Sequence, residues 1–167
     1  MFERLMLGSE GLDGLQKYWT KAEERHWFED HPACTGQHHR RCVPLMLHGD
    51  DVQYIKTPRS ALAVVSMHPE LGEATTRLSR LLLAAVPLPW KTPGTLQPVL
   101  YALRWSFEAC LLGVFPSADE FGRPCAANSI RSKLAGKPLV PTGWNFACAG
   151  LLSDWKFLRE VFFDPPL

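Results

Sequence analysis

No apolar run in this 167-residue chain is long enough to cross a bilayer. The longest strongly apolar stretch, Leu81 to Pro89, falls far short of the ~20 residues a membrane helix needs. Charge of one sign is lacking too. Eighteen Lys and Arg stand against seventeen Asp and Glu, a net +1, so no global field draws the chain onto nucleic acid or an anionic membrane. The opening MFERLMLGSEG has no signal-peptide h-region and sets acid and base beside Phe2. Cysteine is sparse and odd in number: Cys34, Cys42, Cys110, Cys125 and Cys148. Without an export signal they read as reduced thiols of an intracellular protein. Cys110 and Cys148, inside apolar runs, read as small core residues. No Gly-rich phosphate loop occurs, and Ser66 and Ser153 lie in no Gly-x-Ser-x-Gly elbow. Those absences argue against P-loop chemistry and a hydrolase triad.

What is present is ordinary globular material, 46% hydrophobic and 21% charged, in a length suited to one domain. A chain of this size buries roughly 68–70% of its extended surface, so a real core forms without staples. Fourteen prolines and six tryptophans predict a loop-rich fold with large aromatic anchors. Two stretches divide the chain: an N-terminal helical segment and polar connector over 1–42, and a core over 43–167. In the first, Leu12, Leu15, Tyr18, Trp19, Ala22, His26 and Trp27 fall near helical spacing. Asp13 is a plausible N-cap and His31-Pro32 a stop. The connector ACTGQHHRRC follows.

The period then changes. Val43–Tyr54 reads as an extended segment and Ser60–Met67 as a second strand; Thr76–Val86 suits either a third strand or a helix. Thr95–Phe115 carries the best helical stripe, with Thr95 as cap, Pro98 in the first turn and Pro116 as stop. Residues 117–143 read as a long irregular connection, Trp144–Leu152 as a buried strand and Trp155–Phe163 as a last helix. Three consecutive strands, a helical crossover and a further strand predict an α+β (α/β-like) fold. Its sheet is mixed, of about four strands with flanking helices, in the ribonuclease-H manner.

That order directs attention to Asp50, inside the first strand, and Asp154, directly after the fourth. If those strands are parallel neighbours, the two carboxylates meet at one sheet edge. Paired carboxylates are what hard, oxygen-loving ions need for two-metal phosphoryl transfer. A plainer reading stands beside it: Asp after Gly is common in turns, and Asp after a strand is a frequent helix cap. His48 shares the strand face of Asp50 and is a possible metal ligand or a half-buried hydrogen-bonding residue; Asp51 points to the other face. Cys34, His38, His39 and Cys42 are closely spaced soft ligands that invite a zinc reading, with Cys34, His38 and Cys42 as the ligand set, although no second Cys/His pair follows at finger distance. Arg40 and Arg41 make the densest basic spot, suited to phosphate or to water. Trp105, Phe107, Trp144 and Phe146 sit on apolar runs and read as core before base-stacking platforms.

The segments CVPLMLHGDDVQY, SALAVVSMHPELG, LYALRWSFEACLLGVFP, SKLAG and WNFACAGLLSDWKFLREVFF, over most of 14–164, carry a further signal. In order, they resemble a large multicopy family of dinoflagellate-type protist proteins with a P-L-x-x-H-G-D strand, a WSF…L-x-G-x-P helix and a G-D-W-x-F strand end. That family is similar to the ribonuclease-H-like core of eukaryotic DDE-type DNA transposases. The resemblance implies metal-dependent phosphoryl transfer on DNA with Mg²⁺ or Mn²⁺. Asp50 would be the first metal-binding acid and Asp154 the second; DNA is the partner and the nucleus the location. Three departures follow. Ser153 replaces the usual Gly, Lys156 stands where an acid is often found, and the chain ends at Leu167 ahead of a Cys-rich stretch and a third acid. Glu160 and Asp164 lie too close to Asp154 for that role. The expectation is thus a transposase-derived core, incomplete at its C-terminus, that binds metal weakly and does not cleave DNA. The alternative is a non-catalytic interaction or structural module, or a small zinc-binding protein.

Overall fold

Leu15, Trp19 and Ala22 recur at helical spacing, and all three are buried. They lie on α2 (Gly11–Glu23), which follows a short α1 (Phe2–Leu7). The chain is described by a computed structural model covering residues 2–25, 28–34, 41–53, 60–73 and 79–162. The short α1 adds a helix ahead of the one expected to start near Asp13, and a break separates the two. Gly8 adopts φ +68°, and a Cβ there would run into the Leu71 carbonyl oxygen, so the turn requires glycine. Glu10, rather than Asp13, occupies the N-cap and makes no side-chain cap. The helix ends at Glu23, short of His31-Pro32; His26 and Trp27 lie outside the described residues.

The strands are β1 (Cys42–Gln53), β2 (Ala61–Pro69), β3 (Leu81–Pro87) and β4 (Asn145–Ser153), in spatial order β3-β2-β1-β4. β1 pairs antiparallel with β2 and parallel with β4, and β2 pairs antiparallel with β3. This is the mixed four-stranded sheet with flanking helices expected of the α+β pattern. The ambiguous third segment is a strand over Leu81–Pro87; residues 74–78 lie outside the described residues. Along β1 the alternation is clear: Val43, Leu45, Leu47 and Gly49 are buried, while Met46, His48 and Asp50 are half-buried. β4 carries a bulge. Leu45 pairs with Cys148 but Met46 with Gly150, which leaves Ala149 unpaired.

Helix α3 (Leu96–Leu112) crosses the helix-bearing face of the sheet. Thr95 does not cap it. Its own backbone is helical, and its hydroxyl accepts the Thr92 N–H at 2.8 Å, which fixes the preceding turn instead. The helix ends before Phe115 because Gly113 takes the left-handed conformation, φ +70°, and closes the last turn on the Ala109 and Cys110 carbonyls. Within 117–143 most residues form turns, with one short helix, α4 (Ile130–Leu134), capped by the Ser129 hydroxyl. Helix α5 (Trp155–Phe162) follows β4 directly.

Two apolar clusters hold these pieces. One joins Leu15 and Trp19 of α2 to Val43 and Leu45 of β1 and to Trp144 and Ala147. The indole N–H of Trp19 donates to the Cys42 carbonyl at 2.7 Å, so the largest buried ring also satisfies its own polar atom. The second gathers Leu47, Val65, Leu96 and Phe157. None of the five cysteines is in a disulfide; Cys42 is fully buried, whereas Cys110 and Cys148 are half-buried. Among the described residues no helix is long and apolar enough to cross a membrane.

Candidate functional site

β4 ends beside Gly49, and β1 runs on to Gln53 against β2 alone. Gly49 pairs with Ser153, so Asp50 and Asp154, each one residue further, leave the parallel pair at the same end. Asp50 is half-buried and sits opposite Val64 of β2. His48, two residues back, pairs with Ser66 and Leu152 and shares the face of Asp50. Asp154 is exposed, and its Oδ1 accepts the backbone N–H of Phe157 at 2.8 Å. That bond caps α5, so the plainer reading of Asp154 as a helix cap is realised in the structure. It leaves the second oxygen for any other task.

Gly49 explains how closely α5 seats. A Cβ on Gly49 would come within 2.7 Å of Phe157 Cδ1 and nearer still to Cε1 and Cζ, so the ring lies against bare backbone. Phe157 is 3% exposed. The Ser153 hydroxyl donates to the Gly49 carbonyl, a second tie between the strand ends. A glycine at position 153 would lack this bond.

Asp51, on the opposite face from Asp50, carries two ion pairs. Asp51 faces the helix side and meets two lysines from distant parts of the chain. Lys156 of α5 donates to Oδ2 at 2.6 Å, and the Lys91 ammonium stands 3.5 Å from Oδ1. The Lys91 side chain is only 10% exposed and that of Asp51 20%, while Lys156 is open to water. Lys91 also lies 6.0 Å from the centre of the Phe157 ring. Burial pushes the Asp51 carboxyl up, but the Lys156 hydrogen bond and the Lys91 charge outweigh it and hold the group below the usual carboxylate range. The charge of Lys156 is thus neutralised by Asp51. The adjacent Asp50-Asp51 pair was the available signal, since alternation sends one acid to each face.

The chemistry of this donor set does not fit a two-metal centre. Asp154 has one oxygen engaged in the cap, and Asp51 is on the other face between two ammonium groups. No group of three or more His, Cys, Asp or Glu converges among the described residues. Among the described residues Asp50 and Asp154 are the two carboxylates that leave the strand pair here, and one of the two is already committed to a helix cap. Of the proposed zinc set, Cys34 is half-buried in the turn before β1 and Cys42 is fully buried; His38 and His39 lie outside the described residues. Burial pushes both thiols up, Cys42 to about 12, so both are protonated near neutral pH. Trp144 is core; Phe107 and Phe146 pack half-buried against it, and the Arg131 guanidinium lies over Trp105 at 6.0 Å.

No family model, curated protein or solved structure matches the chain.

Proposed function

We propose that this chain is a ribonuclease-H-type domain of transposase descent. Its ancestral reaction was metal-dependent phosphoryl transfer on DNA, and it now serves as a non-catalytic module. The observation that carries the reading is the strand register: an antiparallel three-strand meander, a helical crossover and a fourth strand parallel to the first. That arrangement puts Asp50 and Asp154 at one end of neighbouring strands, where such a core needs its first two acids. In the ancestral reaction Mg²⁺ or Mn²⁺ would supply charge neutralisation at the transferred phosphoryl group.

Loss of the reaction is supported by the donor set. Asp154 holds the first turn of α5, and the acid next to Asp50 is tied to Lys91 and Lys156. The thin electrostatic footprint agrees: phosphate binding needs clustered Lys and Arg, and the chain is balanced at +1. DNA is therefore a weak or ancestral partner, and a nuclear location follows from the descent. Incubation of the purified chain with Mn²⁺ and supercoiled plasmid is expected to leave the plasmid intact. Nicking by the parent that an Asp50→Ala, Asp154→Ala double variant lacks would restore the enzyme reading.

A further inference from the structure

Helix α3 does not lie flush on the sheet. Leu103 and Phe107, which its apolar stripe points at the strands, are only half-buried, and cavities border both. The larger apolar one has a volume of ≈ 330 Å³ and is walled by Leu45, Met67, Leu83, Leu103, Phe107 and Phe146. Protein interiors seldom leave voids larger than a water molecule, whose share of liquid volume is about 30 Å³. Water finds few partners here: it needs two to four, and the polar side chains on the wall are His68, whose Nδ1 has no partner among the described residues, Ser79, Ser106 and the Cys110 thiol. Ser106, on the same wall, already donates its hydroxyl to the Ala102 carbonyl at 2.8 Å. A peptide is excluded on the same ground, since the wall would leave its backbone amides unbonded. The wall carries no formal charge near neutral pH. Cys110 is a thiol raised by burial, and burial and Arg80 hold His68 below the usual histidine range. The second cavity, ≈ 320 Å³, is bordered by Arg104 and Glu108 and suits water better.

We infer that the cavity between α3 and the sheet is a binding site for an uncharged, mainly hydrocarbon small molecule. Its size admits a medium-length acyl chain or an aromatic of two to three rings, and binding completes the packing under Leu103 and Phe107. The site is independent of the acid pair and stands whatever the descent of the fold.

The uncharged fluorophore N-phenyl-1-naphthylamine tests it on the full chain. Saturable fluorescence enhancement, displaced by decanol, is expected. Ser106→Leu and Cys110→Leu fill the wall and should weaken probe binding at least about tenfold without lowering the melting temperature. Tyr101→Ser and Phe121→Ser remove an exposed aromatic pair on the outer side of α3 and should leave binding unchanged. Peptide-resolved alkylation of the parent supplies a reading that needs no variant: decanol should slow modification of Cys110 and not of Cys125. Absence of saturable binding, binding indifferent to the filling variants, or equal protection of both cysteines would overturn the inference.

Discussion

The contact between Gly49 and Phe157 can be tested by adding one methyl group. In Gly49→Ala the new Cβ would lie 2.7 Å or less from three ring carbons, against the 3.5–4.0 Å at which carbon atoms attract. The ring must move by roughly an ångström. If it shifts within the cluster of Leu47, Val65 and Leu96, overpacking costs about 1–3 kcal/mol. If it leaves altogether, the ceiling is the loss of a buried phenylalanine, about 3–5 kcal/mol. In a Phe157→Ala background the same methyl group enters vacated space. There Gly49→Ala should cost little, because alanine is favoured over glycine inside a strand by roughly 0.5–1 kcal/mol. Urea melts of the parent, both single variants and the double variant give the coupling, expected at about 1–3 kcal/mol, with the double variant more stable than additivity allows. A Gly49→Ala variant as stable as the parent, or an equal cost in both backgrounds, would refute the seating of α5 on bare backbone.

Three further outcomes are expected. Asp51 titrates below its unfolded value near 3.9, so the stability it contributes is present above that pH and is lost as pH falls through the lower folded value. Asp51→Asn should flatten the acid limb of a melting-temperature profile below about pH 4 and leave the limb above pH ~6 parallel to the parent's. Trp19→Phe keeps most of the ring but removes the N–H that serves the Cys42 carbonyl, and should cost about 1–3 kcal/mol in denaturant melts. Phe107→Ala should cost about 2 kcal/mol, less than the 3–5 of a fully buried phenylalanine, because the ring is half-exposed to the flanking cavities; a cost above 4 kcal/mol would show those cavities closed in solution.

The strand order and the meeting of Asp50 with the end of β4 were legible because both rest on local pattern. Alternation marks β1, a strong apolar stripe marks α3, and a crossover of that length brings the next strand back parallel. What escaped was set by contacts between distant segments. Gly8, Ser9 and Gly11 mark a turn locally, but that the position tolerates only glycine follows from the Leu71 carbonyl, far along the chain. Thr95 has the side chain of a helix cap, but the turn at Thr92 competes for its hydroxyl and wins. The Asp51 pair with Lys156 spans 105 residues, beyond any periodicity. Helical spacing reports which side of α3 is apolar; it is silent on how closely that side meets the sheet.

The unpaired Ala149 acts as a phase shifter for the chemistry at the strand end. Upstream of it β4 runs in one offset against β1, and downstream in an offset longer by one residue. Asp154 comes level with Asp50 only in the second. In the first, Ser153 would stand there, and every later side chain would change faces. Deleting Ala149 would give a more regular strand and keep the acid pair aligned, since every later residue moves up by one; pairing Ala149 into the ladder with the chain length unchanged is what would misalign it. The bulge is therefore the place where β4 absorbs one residue without disturbing its partners on either side, and whether that residue stays outside the ladder decides which side chain stands level with Asp50.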